Sequence, residues 1–357
     1  MRRSVAFLAG LVMLATACGS GQSVSGSSSA KIALLLPETK TARYETQDRP
    51  NFSRRVHELC PDCEVLYSNA DQDAAKQQSQ AEAALTNGAN VLVLDAVDYK
   101  SAASIVARAK QAGVPVVSYS RLVLNADIDY YISFDSERIG ILQGQALLDR
   151  LRSTGQANGT IVMINGAPTD NNATLFKQGA HRVLDGSGLR IGQEFDTPDW
   201  SPDKAQQEME QALTNLGRDR IAGVYAANDG TAGGAIAAMK GVGVNPLPPV
   251  TGQDAELAAI QRILSGEQYM TVYMAIKAQA EITAEIAVAL ARGERPRPGL
   301  VNTTVDNHMK NVPSVLLTPI AVTRENVKDT VIKDGFWTVA QICTADFVAA
   351  CKAAGLT

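Results

Sequence analysis

Residues 91–119, VLVLDAVDYKSAASIVARAKQAGVPVVSY, carry the pattern that decides the fold. Residues 91–94 are all apolar, which is typical of a strand covered on both faces of its sheet. Residues 101–112 have apolar side chains at helical spacing, and Gly113 follows them in a position that commonly ends a helix. Residues 114–119 form a second apolar run. A strand, a helix and a strand in this order predict a parallel sheet with helices packed on it.

The same alternation of strand and helix extends over most of the chain, in two rounds. Further strands are predicted at residues 31–36, 64–67, 130–134, 160–164, 189–195, 222–225, 250–252 and 270–273. Two rounds predict an α/β protein with two similar lobes, each built on a doubly wound parallel sheet. In such sheets ligands bind at the carboxyl ends of the strands.

The composition fits that interpretation and excludes other classes of protein. The chain has 357 residues, enough for about two domains of ordinary size. Hydrophobic residues make up 45% and charged residues 20%, which is usual for a globular protein and argues against a polytopic membrane protein. The net charge of −4 provides no electrostatic footprint for nucleic acid.

The first 17 residues have the pattern of a signal peptide. Arg2 and Arg3 precede an apolar run at residues 5–17. This run is too short to span a bilayer and has the length of a signal-peptide core. We therefore expect residues 1–17 to be removed during export.

The residues before Cys18 are small and resemble a bacterial lipobox, which predicts that Cys18 becomes the lipidated first residue of the mature chain. Residues 19–30 are rich in glycine and serine, as in a flexible tether. The expected location is the outer face of the cytoplasmic membrane, in the cell envelope. The alternative is an ordinary secretory signal cut after Ala17.

Four cysteines remain after Cys18, an even number that suits an oxidising compartment. Proximity favours a Cys60–Cys63 disulfide and a Cys343–Cys351 disulfide among three possible pairings. Cys60 and Cys63 also have the spacing of a redox or metal site. No second pair has this spacing and the three histidines are far apart in sequence. We therefore predict structural disulfides, with no metal and no cofactor.

Polar loops follow the predicted strands at many points. Arginine, asparagine and aspartate bind vicinal hydroxyls of a sugar, and a tryptophan face covers its C–H side. The alternative is that these residues cap the following helices, which explains Asp203 and Asp229. Six such loops at strand ends favour a binding site. Their residues are Arg43, Tyr44, Ser120, Arg121, Asp170, Asn171, Asn172, Trp200, Asn228, Asp229, Gln253 and Asp254.

Motifs for an enzyme are weak in comparison. Residues 228–234, NDGTAGG, are rich in glycine but match neither the dinucleotide fingerprint nor the P-loop. No Gly-x-Ser-x-Gly nucleophile elbow occurs. An exported carbohydrate-active enzyme remains an alternative.

Residues 125–135, NADIDYYISFD, closely resemble the D-xylose-binding proteins of bacterial ABC importers. These proteins are a branch of the ribose/galactose-type, or type I, periplasmic binding proteins. The likeness runs from about residue 31 to residue 336. Further matching stretches are residues 170–173, 228–235, 252–255, 270–273 and 331–336.

The resemblance implies a set of ligand-binding residues. The contacts of the family fall on Arg43, Arg121, Asn172, Asn228 and Asp254, with Trp200 as the stacking aromatic residue. The Asp170-Asn171-Asn172 stretch matches as a unit, and Tyr44 stands where relatives commonly carry tryptophan.

Two positions depart from the family's pattern. Ser120 replaces an aspartate, and Met274 replaces a lysine. These changes put xylose itself in doubt as the ligand, unless residues such as Gln253 or Lys277 restore the lost contacts.

The resemblance also implies two Rossmann-like lobes joined by a three-stranded hinge, with the chain crossing near Asp135, Met274 and Thr303. Lobe one is then residues 31–135 plus 275–303, and lobe two is residues 136–274 plus 304–357.

The implied function is capture of a monosaccharide, a xylose-like pentose or related polyol, by a monomer that is not an enzyme. The captured sugar passes to the permease and ATPase subunits of an ABC importer. Two alternatives share the fold: a chemotaxis or sensor receptor, and the sugar-sensing core of a LacI-type repressor. The repressor core needs an N-terminal DNA-binding helix-turn-helix, where we predict a signal peptide.

The lipobox interpretation predicts the effect of Cys18→Ala. Without an acceptor for the lipid, the protein should move from the membrane fraction to the soluble exported fraction. Fractionation followed by immunoblotting measures this, and membrane association that does not change would contradict the prediction.

Overall fold

The computed structural model describes residues 29–356, so the predicted signal peptide and Cys18 lie outside the described part of the chain. The described residues form alternating strands and helices arranged in two lobes. The strands are β1 Lys31–Leu36, β2 Glu64–Asn69, β3 Val91–Leu94, β4 Val116–Tyr119, β5 Tyr130–Phe134, β6 Thr160–Asn165, β7 Arg190–Asp196, β8 Ile221–Ala226, β9 Met270–Tyr273, β10 Thr303–Asp306, β11 Asn311–Leu317 and β12 Ile320–Thr323.

Most of the helices connect one strand to the next. They are α1 Arg49–Leu59, α2 Ala74–Thr86, α3 Ala103–Gln111, α4 Ser136–Ser153, α5 Asn171–Leu184, α6 Pro202–Leu216, α7 Asp229–Gly241, α8 Leu257–Ser265, α9 Ile276–Ala291, α10 Val339–Ile342 and α11 Val348–Ala353. Short helical turns lie at Tyr44–Asp48, Pro198–Trp200, Arg218–Arg220 and Lys328–Ile332.

The first lobe is built on a seven-stranded sheet in the order β10-β11-β5-β4-β3-β1-β2. Its strands are parallel except for β10, which runs antiparallel to β11. The chain order reverses between β1 and β3, and doubly wound sheets bind ligands at the strand ends beside such a reversal. The α/β fold predicted from the sequence is confirmed.

The second lobe repeats this plan with a shorter set of strands. β7, β6 and β8 form a parallel sheet, and β9 pairs with β12 in antiparallel fashion. Residues 250–253 lie between the two groups through single bridges, Val224 to Val250 and Gln253 to Val272. The strand predicted at residues 250–252 is therefore present only as isolated bridges.

The structure corrects the predicted lobe boundary near Thr303. β11 pairs in parallel with β5, for instance Val315 with Ile132, so β10 and β11 belong to the first sheet. The chain leaves this sheet after β11 and enters the second lobe at β12. We therefore divide the described chain into a first lobe, residues 31–135 plus 275–317, and a second lobe, residues 136–274 plus 318–356.

Both faces of the first sheet are buried, as the apolar strand sequences require. Side chains alternate between the two faces of a strand. Ile32, Leu34 and Leu36 of β1 pack in a cluster with residues of α1 and α9, whereas Ala33 and Leu35 pack with α2 and α3. This packing fixes the end of β1, where the first part of the site begins.

A close approach of α4 to α5 fixes the start of α5, where another part of the site lies. A Cβ atom on Gly140 would lie 1.9 Å from the carbonyl oxygen of Phe176, and one on Gly179 would lie 2.1 Å from that of Glu137. Glycine is therefore required at both positions. The side chain of Asp170 caps α5 at its N-terminus.

Candidate functional site

The ten residues that the sequence predicts for the ligand site all line one cavity between the lobes. The cavity lies at the carboxyl ends of strands from both sheets, and about 450 Å³ of space, part of it open to solvent, lies among its lining residues. The ten residues are Arg43, Tyr44, Ser120, Arg121, Asp170, Asn172, Trp200, Asn228, Asp254 and Met274. The other lining residues are Thr41, Ser133, Phe134, Ser136, Ile139, Phe176 and Gln253.

Arg43 follows β1 and is held rigidly within the first lobe. Its Nε and one terminal nitrogen donate to the two carboxylate oxygens of Asp48, at 3.0 and 2.7 Å. The same terminal nitrogen donates to Gln279 at 3.3 Å. Burial lowers the pKa of Arg43, but the Asp48 carboxylate raises it by more than burial lowers it. The pKa is therefore above its usual value, and the guanidinium stays charged. The hydroxyl of Tyr119 also donates to Asp48.

Arg121 follows β4 and is the second buried cation of the first lobe. It donates to the carbonyl oxygen of Ala96 at 3.1 Å and to the hydroxyl of Tyr44 at 3.4 Å. Its Nε lies 3.6 Å from a carboxylate oxygen of Asp95 and 2.9 Å from one of Asp170. Burial lowers the pKa of Arg121 and the surrounding negative groups raise it more, so this guanidinium also stays charged.

Ion pairs and hydrogen bonds cross the cleft, so the lobes are in a closed arrangement. Arg121 pairs with Asp170 of the second lobe, and a terminal nitrogen of Arg43 lies 3.9 Å from Asp254. The amide of Asn172 donates to the carbonyl oxygen of Ser120 at 2.9 Å. Arg43 and Arg121 of the first lobe thus each face an aspartate of the second lobe.

Aromatic rings line the cavity on both sides. Tyr44 belongs to the first lobe, and Trp200 to the second. The indole nitrogen of Trp200 donates to Asp170 at 3.2 Å, and its ring meets Phe176 edge to face with centroids 6.4 Å apart. A Cβ atom at Gly166 would lie 2.0 Å from the Trp200 ring, so this glycine makes room for it.

The capping role considered for Asp203 and Asp229 belongs instead to the neighbouring residues Ser201 and Asn228. The side-chain oxygen of Asn228 accepts hydrogen bonds from the backbone nitrogen and hydroxyl of Thr231, both at 2.9 Å. Asn228 nevertheless lines the cavity. Asp229 does not line it: this buried carboxylate accepts from Gln268 at 2.7 Å and from Thr271 at 2.9 Å. Asp229 is therefore part of the scaffold.

The two positions that depart from the family pattern lie in the same cavity. Ser120 has φ of +58°, and its carbonyl oxygen accepts from the hydroxyls of Tyr131 and Ser133 as well as from Asn172. The carbonyl oxygen of Ser120 thus has three hydrogen-bond donors within the protein. Met274 contributes an apolar side chain to the cavity lining.

The two residues considered as replacements for the lost contacts differ in position. Gln253 lines the cavity, and its side-chain amide donates to Asp254 at 3.2 Å. Lys277 is exposed and does not line the cavity.

Sequence reasoning missed the carboxylates that accompany the arginines. Asp48 lies in the helical turn after Arg43 and not directly after a strand, so the strand-end pattern does not identify it. Asp95 directly follows β3, so the strand-end pattern could have identified it. Asp95 is fully buried, and within residues 29–356 neither of its carboxylate oxygens has a hydrogen-bond donor. Burial raises its pKa well above the usual range.

Cysteine pairs are present within each lobe. The structure joins Cys60 to Cys63 and Cys343 to Cys351. Among the described residues, no group of three or more histidine, cysteine or carboxylate side chains is arranged to hold a metal ion. A search of the same residues for a helix with the length and apolar character of a membrane span finds none.

The sequence profile of a periplasmic binding protein domain matches residues 32–295. A D-xylose-binding periplasmic protein of Escherichia coli strain K12 is 40% identical over 310 residues, which cover 86% of this chain and 90% of the relative. The multiple sugar-binding periplasmic receptor ChvE of Rhizobium radiobacter is 32% identical over 329 residues, with 87% and 92% covered.

Among solved structures, an ABC transporter solute-binding protein from Clostridium phytofermentans with bound β-D-glucose matches with a TM-score of 0.80 and 29% identity. The match covers 87% of this chain and 99% of that structure. The similarity therefore includes both lobes.

The environment of Glu256, two residues after Asp254, predicts how the free energy of unfolding depends on pH. Burial, with the nearby Asp229 and Asp254, raises the pKa of Glu256 to about 8, and burial raises that of Asp229 to about 7. The folded state then binds more protons than the unfolded state at intermediate pH. The free energy of unfolding should therefore fall as pH rises from about 4.5 to 8. Glu256→Gln should flatten this dependence.

Urea unfolding at pH 5.5 and 8.5 measures the effect. Glu294→Gln is a suitable control, because Glu294 is exposed. An equal slope in wild type and Glu256→Gln would show that Glu256 ionises normally.

Proposed function

The chain belongs to the periplasmic binding protein family, and on that basis we propose that it captures a monosaccharide or polyol between its two lobes. It then delivers this ligand to the permease and ATPase subunits of an ABC importer. Members of the family bind solutes and do not convert them, so the chain acts as a binding protein and not as an enzyme.

The observation that supports this proposal best is the composition of the cavity. Strand ends from both lobes contribute to it, and its charged residues are already paired within the protein. A neutral ligand adds no charge to these pairs. Its hydroxyls can accept from a guanidinium and donate to a carboxylate at the same time, which suits the facing arginines and aspartates.

The identity of the sugar follows less directly. The E. coli relative is named for D-xylose, the Rhizobium relative for multiple sugars, and the solved Clostridium structure holds glucose. Ser120 and Met274 replace charged residues of the family pattern. We therefore propose a ligand that is related to xylose but differs from it in the part that contacts Ser120 and Met274. Another pentose, a pentitol or a sugar lacking a hydroxyl would meet this description.

We also propose that the mature protein is a lipid-anchored monomer at the outer face of the cytoplasmic membrane. The lipobox at Cys18 and the glycine- and serine-rich tether at residues 19–30 support the anchor. In the oxidising cell envelope, Cys60 and Cys63 form one disulfide, and Cys343 and Cys351 form the other. Labelling of free thiols before and after reduction, followed by mass spectrometry, tests both pairings.

Thermal-shift measurements with pentoses, hexoses and polyols test the central proposal. A bound sugar stabilises the folded state by mass action and raises the melting temperature. NMR of the recovered sugar separates binding from turnover, since a binding protein returns it unchanged. If no compound of these classes binds, the proposed function is wrong; if a sugar is converted, the enzyme alternative is correct.

Trp200→Ala should weaken sugar binding at least tenfold. The variant removes an apolar face worth roughly 1–3 kcal/mol against the C–H groups of a sugar. Trp200→Phe keeps an aromatic face and should lose less. Calorimetric titration measures the affinities, and urea unfolding without sugar is the control. A large loss of ligand-free stability, with little change in affinity, would identify Trp200 as a core residue instead.

Restoring the family's charges should restore its preference. We expect Ser120→Asp/Met274→Lys to bind D-xylose more tightly than wild type does, because hydrogen bonds to charged groups contribute roughly 1.5–3 kcal/mol each. Titration of both proteins with D-xylose, xylitol and D-glucose measures the change. Tight wild-type binding of xylose that the double variant leaves unimproved would contradict altered specificity.

A further inference from the structure

Two consecutive residues near the C-terminus, Phe336 and Trp337, contact both lobes outside the cavity; we call them the strap. Trp337 is buried, and its indole nitrogen donates to the carbonyl oxygen of Ala255 at 2.8 Å. Ala255 directly follows Asp254, the carboxylate that faces Arg43 across the cleft. The strap therefore reaches the backbone that carries a residue of the cavity.

The backbone at this point has an unusual conformation that requires support. Asp254 has φ of +93° and Ala255 has φ of +50°, in the left-handed region that residues with a Cβ atom rarely adopt. Such conformations persist only where the surrounding structure holds them. Two backbone nitrogens are held from β9: that of Asp254 by the carbonyl oxygen of Val272 at 3.0 Å, and that of Ala255 by the hydroxyl of Thr271 at 3.2 Å.

The indole of Trp337 adds the contact to the carbonyl side of the same turn. The strand contacts hold these two nitrogens. The peptide between Ala255 and Glu256 is held at both ends: its carbonyl oxygen accepts from the indole of Trp337, and its nitrogen donates to Asp229 at 3.0 Å. The turn that contains Asp254 and Ala255 is therefore held by Trp337 and Asp229 as well as by β9.

The other residue of the strap reaches the first lobe. The side-chain amide of Gln47 donates to the carbonyl oxygen of Phe336 at 3.4 Å. Gln47 belongs to the helical turn Tyr44–Asp48, which also carries Tyr44 of the cavity and Asp48, the partner of Arg43. This contact crosses between the lobes, so separating them would break it.

The strap is itself anchored in the second lobe. The ring of Phe336 meets those of Tyr273 and Trp337 edge to face, with centroids 5.2 and 5.4 Å apart. Beyond the strap, the carbonyl oxygen of Ile342 accepts from Gln261 of α8 at 3.1 Å, and Cys343 is joined to Cys351. The strap is thus a fixed support and not a free chain end.

We propose that Trp337 is a positioning residue for sugar binding, which orients Asp254 from outside the cavity, and that the Gln47–Phe336 contact strengthens the closed state. This inference rests on the proposed function of the cavity. It assigns a role in affinity to residues that do not touch the ligand.

Trp337→Phe tests the first part, since it removes the indole donor and keeps an aromatic ring. Calorimetric titration with D-xylose and D-glucose should show a loss of affinity of about tenfold. Tyr225→Phe is the matched control, because Tyr225 is fully buried in the same lobe and lies outside the cavity lining. The control should bind as wild type does.

A double-mutant cycle separates positioning from a general loss of stability. If Trp337 acts through Asp254, the variant Asp254→Asn/Trp337→Phe should bind no more weakly than Asp254→Asn alone. Losses that simply add would contradict the proposal. Gln47→Ala, a change at a partly buried residue, should increase the dissociation rate of the sugar several-fold; an unchanged rate would contradict the role of the Gln47–Phe336 contact.

Hydrogen exchange keeps this inference testable even if the proposed function fails. In the ligand-free protein, amides of residues 254–257 should exchange faster in Trp337→Phe than in wild type, and no faster in Tyr225→Phe. Faster exchange with no sugar bound by wild type would support the positioning role and reject the proposed function. Unchanged exchange would overturn the positioning role.

Discussion

Two buried guanidinium groups, those of Arg43 and Arg121, constrain the rest of the cleft. A buried ion without a partner costs several kcal/mol, so each arginine requires a carboxylate whether the lobes are together or apart. Asp48 and Asp95 meet this requirement from within the first lobe, at 2.7 and 3.6 Å. The arginines can therefore stay in place and charged when the cleft opens, which keeps the first lobe ready to receive a ligand.

Closure adds a second carboxylate to each arginine, Asp254 to Arg43 and Asp170 to Arg121. The Arg43–Asp254 distance is 3.9 Å and the Arg121–Asp170 distance is 2.9 Å, so the Arg43–Asp254 pair leaves more space for a ligand hydroxyl. A polyhydroxy ligand placed between them can satisfy both members of a pair, because each hydroxyl is a donor and an acceptor. The same arginine–aspartate pairs thus hold the lobes together and provide hydrogen bonds for the ligand.

The sequence predicted most of this arrangement because strand ends in a doubly wound sheet converge on one edge. That rule singled out residues as distant as Tyr44 and Asp254, and the family resemblance implied that they share one ligand site. Asp48 escaped it because its position depends on a helical turn, and the boundary near Thr303 was wrong because β11 pairs with β5, far away in the chain. Trp337 and Ala255 are likewise far apart in the sequence, and no local sequence pattern predicts their hydrogen bond. Local patterns predict elements and strand ends, whereas pairing between remote segments requires the folded chain.

The charge balance of the closed cleft limits the class of ligand. Two guanidiniums, those of Arg43 and Arg121, face four carboxylates, those of Asp48, Asp95, Asp170 and Asp254. A sugar acid or sugar phosphate would add a negative charge where carboxylates are already in excess, so a neutral ligand fits better. Ser120 and Met274 leave this balance unchanged, because one carboxylate and one ammonium of the family pattern are lost together. Those substitutions therefore alter the shape and hydrogen bonding of one corner of the cavity while the preference for a neutral, polyhydroxylated ligand persists.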